Sequence, residues 1–538
     1  MLLILEVWLA LAVTVCVLGV AVERFLARGS GDGGEELDGG IVALLGLAAL
    51  TTIAGLLSLA LPMNGVGVAA VAAFVAAAGW RCRADLRRRF ASMLTALASR
   101  PRLDLLVGLS VIAAALVWAC VPTPLYDDGA YHAQAIRWAE EYPAVPGLAN
   151  LQYRLAWVPT WFVASAATSG SFAGERVVAL NSFCFLCVAL YLWNGLPGLR
   201  RSPTRIGPWL RVLGLPGALL VANESLSHAT PDLPVAVLWF ALLGLAVQEI
   251  EQPERPEAEV AALALGALAL FSVSLRLSAL PALLFAGWIA HRRRRAAWLF
   301  GIGTLVAAPG LLRNTVQSGF PFLPLSWPRF AELDWTLPAE TLDQARLDIA
   351  TSARGGLALL WPDRLAIPLV VLASLLVWLP AAGPRFAPLR RFRSVLTGGL
   401  LALLFWIGTA PDPRFARGYY LPLALLVAIC VGLGPALALG SAATAAQRRR
   451  PLLAQCLVSL LLLFELTRAA RLLPSAAVWR RAAAPPSFAS SATLLGGLAI
   501  HRTAVEAGCW YEPFPCVDQI PPIEPRGASL RQGFRPSN

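Results

Sequence analysis

The chain has 538 residues, of which 57% are hydrophobic and 14% charged. Soluble domains carry about 25% charged residues, so this composition excludes an ordinary soluble enzyme. The formal net charge is +12 and all 44 basic residues are arginine, which excludes chemistry through a lysine Schiff base. The arginines cluster in short loops between apolar runs, a pattern that sets membrane topology rather than one that grips nucleic acid.

In chain order, the first apolar run is 2–22. It has no basic segment ahead of it and no small-residue cleavage site, so it reads as a retained span. Runs 40–61 and 65–80 follow, and then seven arginines between Arg81 and Arg102, the strongest cytoplasmic marker in the chain. Run 103–121 leads out to a polar, aromatic stretch, 122–153, bounded by Pro and Gly. Run 157–169 is short and broken by Pro159. Spans are predicted at 176–196, 212–222 and 233–250, and then 260–290 in two halves around Arg276. A membrane-depth arginine needs a partner or a wet cavity. The cytoplasmic His-Arg segment 291–295 precedes the run 296–312. A second large exterior loop, 313–364, is followed by runs 366–380, 396–410, 421–439 and 452–466. The predicted fold is an all-α integral membrane protein of about 13–14 transmembrane helices, with short interfacial helices on its exterior loops. It divides into N-terminal helices and a basic loop (1–102), a transmembrane core (103–470) with exterior loops 122–175 and 313–364, and an exterior tail (471–538). The acidic stretch 249–257 runs against its predicted cytoplasmic placement, although acids weigh little in that rule.

Polar residues able to do chemistry collect on the predicted exterior side. Asp127, Asp128, Tyr131 and His132 open a helix on which residues four apart share a face. One acid is enough to cap a helix; two acids and a histidine exceed that need. Tyr131, Trp138 and Tyr142 form a stripe suited to the lipid headgroup level. Arg154, Arg176, Arg313, Arg414 and Arg417 stand near span ends, where arginine either anchors at the interface or binds phosphate or carboxylate. Ser227, His228 and Asp232 are close in sequence, but a hydrolase triad is a spatial arrangement and no nucleophile elbow is present; Asp232 reads as a helix cap or a pocket residue. Most of the nine cysteines lie in or beside apolar runs and behave as small hydrophobes. Cys509 and Cys516, with six residues between them on an oxidising side, favour a disulfide. No metal-ligand or nucleotide motif occurs. The sequence requires no cofactor, and a divalent cation is allowed without being called for.

The acidic pair followed by Tyr131 resembles the GT-C class of membrane glycosyltransferases. In the lipid A aminoarabinose transferases and protein O-mannosyltransferases the loop reads roughly Asp-Glu-x-x-Tyr, with Asp128 here in place of Glu. The chain is closer still to an uncharacterised bacterial family of multi-span proteins with a D-x-x-x-Y-H…EY-x-x-VPGLANL loop, matched here by Asp127, Tyr131-His132, Glu141-Tyr142 and the segment 145–151. Arg313-Asn314, the segment 318–321, Pro231-Asp232-Leu233-Pro234, the segment 411–415, Cys509-Trp510 and Pro515-Cys516 extend the likeness. The resemblance implies a GT-C-like core in a bacterial inner membrane, with the large loops and tail periplasmic. It implies transfer of a sugar from a polyprenyl-phosphate donor to a cell-envelope glycan or lipid acceptor. Asp127 and Asp128 would be catalytic, and Tyr131, His132, Arg154, Arg276, Arg313, Arg414 and Asp232 would bind substrate. Two other readings fit the same sequence. A transporter or flippase of a lipid-linked glycan would spread polar residues through the spans. A non-catalytic envelope-assembly protein would tolerate loss of Asp127. Membrane lipid is the expected surrounding partner and nucleic acid is not.

Overall fold

The computed structural model describes the chain apart from residues 31–35, 122–125, 157–159, 172–175, 256, 329–332, 356–362, 380–386, 410, 439–444, 473–489, 504–507 and 538. The first four residues of the polar stretch 122–153, and parts of the loop 313–364 and of the tail, therefore lie outside the described residues.

The apolar runs become helices because a backbone in hydrocarbon must satisfy its own hydrogen bonds. In order they are α1 (Leu2–Ser30), α2 (Gly39–Leu57), α3 (Gly65–Arg81), α4 (Arg83–Ala98), α5 (Arg102–Cys120), α6 (Ala133–Glu141), α7 (Leu148–Leu151), α8 (Thr160–Thr168), α9 (Leu180–Trp193), α10 (Gly195–Arg201), α11 (Ile206–Ala222), α12 (Asp232–Glu251) and α13 (Ala258–Leu275). They continue as α14 (Leu283–Arg293), α15 (Ala296–Ser318), α16 (Ala339–Gly355), α17 (Asp363–Leu376), α18 (Ala387–Arg390), α19 (Arg393–Thr409), α20 (Pro413–Ala438) and α21 (Ala445–Leu472). The protein is a mostly helical, multi-pass membrane protein. Among the described residues eight helices are long and apolar enough to cross a membrane, or nine if the bent pair α3–α4 counts as one, with three shorter apolar helices besides. Among the described residues several of the apolar runs expected to be spans form these shorter helices. The run 157–169 gives only α8, and its residues Trp161–Ala164 are buried among other helices.

α12 is the central helix and packs on α9, α11, α13 and α20. α1 and α2 approach closely through glycine: a Cβ on Gly19 or Gly46 would overlap the backbone of Val42 or Val15, the small-residue contact that lets membrane helices pack.

Charges divide the bundle into two ends. At one end Asp104 takes Arg200, Asp38 takes Arg211 at 2.6 Å, and Glu23 takes Arg89 at 2.6 Å. Glu249 pairs with Arg293 at 2.7 Å and Glu259 with Arg295 at 2.7 Å. Glu251 accepts the backbone N–H groups of Ile206 and Gly207 at the start of α11. The acidic stretch that ran against the topology is thus the counter-charge of the arginine loops.

The chain is not all helix. The tail carries β1 (Ser490–Leu495), β2 (Leu498–Thr503), β3 (Cys516–Val517), β4 (Ile523–Pro525) and β5 (Phe534–Pro536). β1 and β2 form an antiparallel hairpin with Leu495 opposite Leu498. Gly496 and Gly497 both have positive φ, as a two-residue hairpin turn requires. β3 pairs parallel to β2, and β4 pairs with β5. This small module packs onto the 128–150 region.

Candidate functional site

Past α5 the chain enters a π-helical turn, Asp128–His132, that runs straight into α6. Such single turns within α-helices often mark functional sites. The turn aims its two acids in different directions. Asp128 is buried and bridges two imidazoles: one oxygen meets Nδ1 of His132 at 2.6 Å and the other meets Nδ1 of His228, from the turn after α11. Burial pushes the Asp128 carboxyl up, but the hydrogen bonds from His132 and His228 outweigh it and hold the group down at about 2. The His132 ring packs against Tyr131 and Phe162.

Asp127 points instead to Arg414, at 3.3 Å. Arg414, in the first turn of α20, also pairs with Asp412 at 2.9 Å. Arg276 sits at the break after α13 in extended conformation and pairs with Asp232, at the start of α12. Both guanidiniums stack on one ring: Arg276 lies 4.4 Å and Arg414 4.8 Å from the centroid of Phe415. Tyr131 is surrounded by this group. Burial pushes its phenol above the usual range, and Asp127 and Asp232 add to the shift against Arg276 and Arg154. Arg154 lies 6.0 Å from the Tyr131 ring and 3.6 Å from Asp348 on α16. Asp348 also takes the Tyr153 hydroxyl; burial, and then this bond, push that phenol up to about 12.

The structure therefore gathers Asp127, Tyr131, Arg154, Asp232, Arg276 and Arg414 from five separate segments, with Asp128 and His132 beside them. Arg313 does not join them. It is 1% exposed and donates to the carbonyl and hydroxyl of Ser58 at 3.3 and 3.0 Å, where it ties α15 to the end of α2. His228, Asp348, Asp412 and Phe415 are partners that the sequence did not single out for the site. For Asp412 and Phe415 the signal was there, since they flank Arg414 in the motif at 411–415. His228 stood in the cluster with Ser227 and Asp232 but was not assigned to the site, and Asp348 carries no signal that a single sequence reveals. No cluster of three or more His, Cys, Asp or Glu able to hold a metal occurs among the described residues.

The Cys509–Cys516 disulfide is formed, with Cα atoms 5.7 Å apart, and its loop sits on the π-helical turn. Gly129 O accepts from the backbone N–H of Cys509 at 2.8 Å and of Trp510 at 3.1 Å. Buried Gln134 donates to the carbonyls of Trp510 and Pro513 and accepts from Cys516 N–H. Arg137 donates to Tyr511 O and pairs with Glu512. At Gly508, φ is +81°, and a Cβ there would overlap Gly129. The stripe of Tyr131, Trp138 and Tyr142 expected at the lipid interface is covered instead: Trp138 packs on Phe514, with centroids 5.0 Å apart, and on Phe534.

An apolar cavity of about 260 Å³ lies elsewhere, deeper along α12, α14, α19 and α20, lined by residues such as Trp239, Trp288, Tyr419 and Leu423. It holds none of the charged groups above.

The family model described as a domain of unknown function, DUF8201, matches residues 1–357. The chain belongs to the DUF8201 family. The matched region includes Asp127, Asp128, Tyr131, His132, Arg154, His228, Asp232, Arg276 and Asp348. Arg414 and the disulfide loop lie past the DUF8201 match. None of the curated proteins matches the chain.

Proposed function

We propose that this DUF8201 protein is a GT-C-like membrane glycosyltransferase of the bacterial inner membrane. It moves a sugar from a polyprenyl-phosphate donor to a cell-envelope glycan or lipid acceptor on the periplasmic face. The single observation that carries this reading is the juxtaposition of Asp127 with two arginines, Arg414 and Arg276, that flank one phenyl ring at an end of the bundle.

In the reaction the acceptor hydroxyl oxygen bonds to C1 of the sugar, and the C1–O bond to the phosphate breaks. The bonding pair leaves with the phosphate, and the acceptor proton passes to the Asp127 carboxylate. Arg276 and Arg414 balance the charge that grows on the departing phosphate, the electrostatic role that commonly dominates such steps. Arg414 is paired with Asp127 and Asp412. A phosphate competing for Arg414 releases Asp127 to act as base, so donor binding and base activation are coupled. Asp128 has both oxygens committed to histidines, so its role is to position the turn rather than to take the proton.

Complementation with Asp127→Asn and Arg414→Ala, reading surface glycans, tests the reading. Loss of one glycan in both variants is expected. Wild-type glycan in both overturns it.

A further inference from the structure

α3 is 17 residues long, about 25 Å at 1.5 Å per residue, and faces outward with Val66 and Phe74 exposed. At its basic end stands Trp80, 73% exposed, the residue type that marks the membrane–water boundary. One residue past α3 the chain turns by 81° into α4. A helix perpendicular to a span, starting at its interfacial tryptophan, runs along the membrane surface.

α4 is built for that position. Phe90, Met93, Leu94 and Leu97 recur at i, i+3, i+4 and i+7 and are between 45% and 59% exposed; that spacing is one apolar stripe. The opposite side is tied down to α1. Asp85 pairs with Arg24 at 3.1 Å and with Arg88. Arg89 pairs with Glu23 and donates to Leu37 O at 3.0 Å. These ties hold the stripe outward. Arg83 and Arg87 precede Phe90 and Leu94 by seven residues and so border the stripe. Both are exposed, and neither has a carboxylate partner among the described residues. Arg83 donates to Trp80 O at 3.3 Å and lies 4.6 Å from the Trp80 ring, which holds it at the interfacial level.

We propose that α4 lies in the headgroup layer at the basic end of the bundle, with Phe90, Met93, Leu94 and Leu97 in the acyl boundary and Arg83 and Arg87 binding anionic lipid headgroups. An apolar stripe bordered by unpaired cations is the signature of a surface helix selective for acidic lipid. The inference does not depend on the glycosyltransferase reading.

The test uses the full chain with p-benzoylphenylalanine at position 90, and separately at 94 in case one substitution perturbs folding. The protein is purified and reconstituted in vesicles of equimolar dioleoyl phosphatidylglycerol and dioleoyl phosphatidylcholine. The acyl chains are identical, so the ratio of the two lipid adducts after irradiation, read by mass spectrometry of the α4 peptide, reports headgroup preference. We expect lipid adducts with phosphatidylglycerol favoured by about threefold or more, falling to about one in the Arg83→Gln/Arg87→Gln variant with the total unchanged. The probe at Ser92 should give no lipid adduct. Crosslinks to a second copy of the chain, no lipid adduct at 90 or 94, an unbiased ratio, or a bias that survives the double substitution would each overturn the proposal.

Discussion

Asp127 and Arg414 are 287 residues apart in the chain and meet at 3.3 Å, joining the turn after α5 to the first turn of α20. The pair is part-exposed, 24% for Asp127 and 40% for Arg414, so it contributes no more than about 1 kcal/mol to stability. Function and folding therefore separate here. Asp127→Asn is expected to lower turnover by about 10² to 10⁴, the range for a general base, while the melting temperature of the purified protein stays near wild type. Transfer in reconstituted vesicles together with a thermal melt checks both halves.

Asp128 behaves in the opposite way. Replacing it with Asn puts an amide N–H₂ against one imidazole N–H and removes a buried acceptor, at a cost of about 3 kcal/mol. Its folded pKa, about 2, lies below the ordinary 3.8. A depressed carboxyl adds stability that is full above its unfolded pKa and is lost as pH falls through the folded value. Melting temperatures between pH 5 and pH 2 should therefore show an acid limb below about pH 4 in the wild type, and a shallower one in Asp128→Asn.

Arg276 combines an ion pair with Asp232 and a stack on Phe415. Lysine keeps the charge but not the planar fork. Arg276→Ala and Arg276→Lys should both cut transfer by about 10² or more, with lysine restoring little. Titration of the lipid-phosphate donor against initial rate checks this, and near-full activity in Arg276→Lys would show that charge alone is enough.

The disulfide closes a short loop worth about 2 kcal/mol, and that loop seats the turn carrying Asp128 and His132. Cys509→Ser/Cys516→Ser should speed amide hydrogen exchange across 128–137 and reduce transfer, while exchange in α12 and α13 stays unchanged. Exchange measured on wild type, the variant and the chemically reduced protein reads this out.

Much of the site was legible because charge at membrane depth is costly and so stands out in an apolar chain. Arg276 stood out in that way, and Asp127, Arg154, Asp232 and Arg414 stood out as polar residues at span ends or in short motifs; the structure brings them together. Their partners are invisible to that argument. Asp348 sits in a polar helix where one more acid draws no notice, and Phe415 matters only through the two guanidiniums on its faces. Arg313 shows the converse: an arginine at a span end reads as a phosphate ligand, yet this one is buried and turned onto Ser58. The hairpin in the tail had its signal in two glycines between Leu-rich strands, but the Pro-rich polar segments around it obscured the alternation. Span number is hard to read from sequence because a short helix inside a bundle is as apolar as one that crosses.

Gln134 reaches into the 509–516 loop with three hydrogen bonds, to partners 376 to 382 residues further along. During synthesis the turn at 128–132 is inserted long before that loop exists. The front of the chain thus waits for a brace made late, and a chain stalled before Cys509 would sit in the membrane with its helices in place and Gln134 without these three partners.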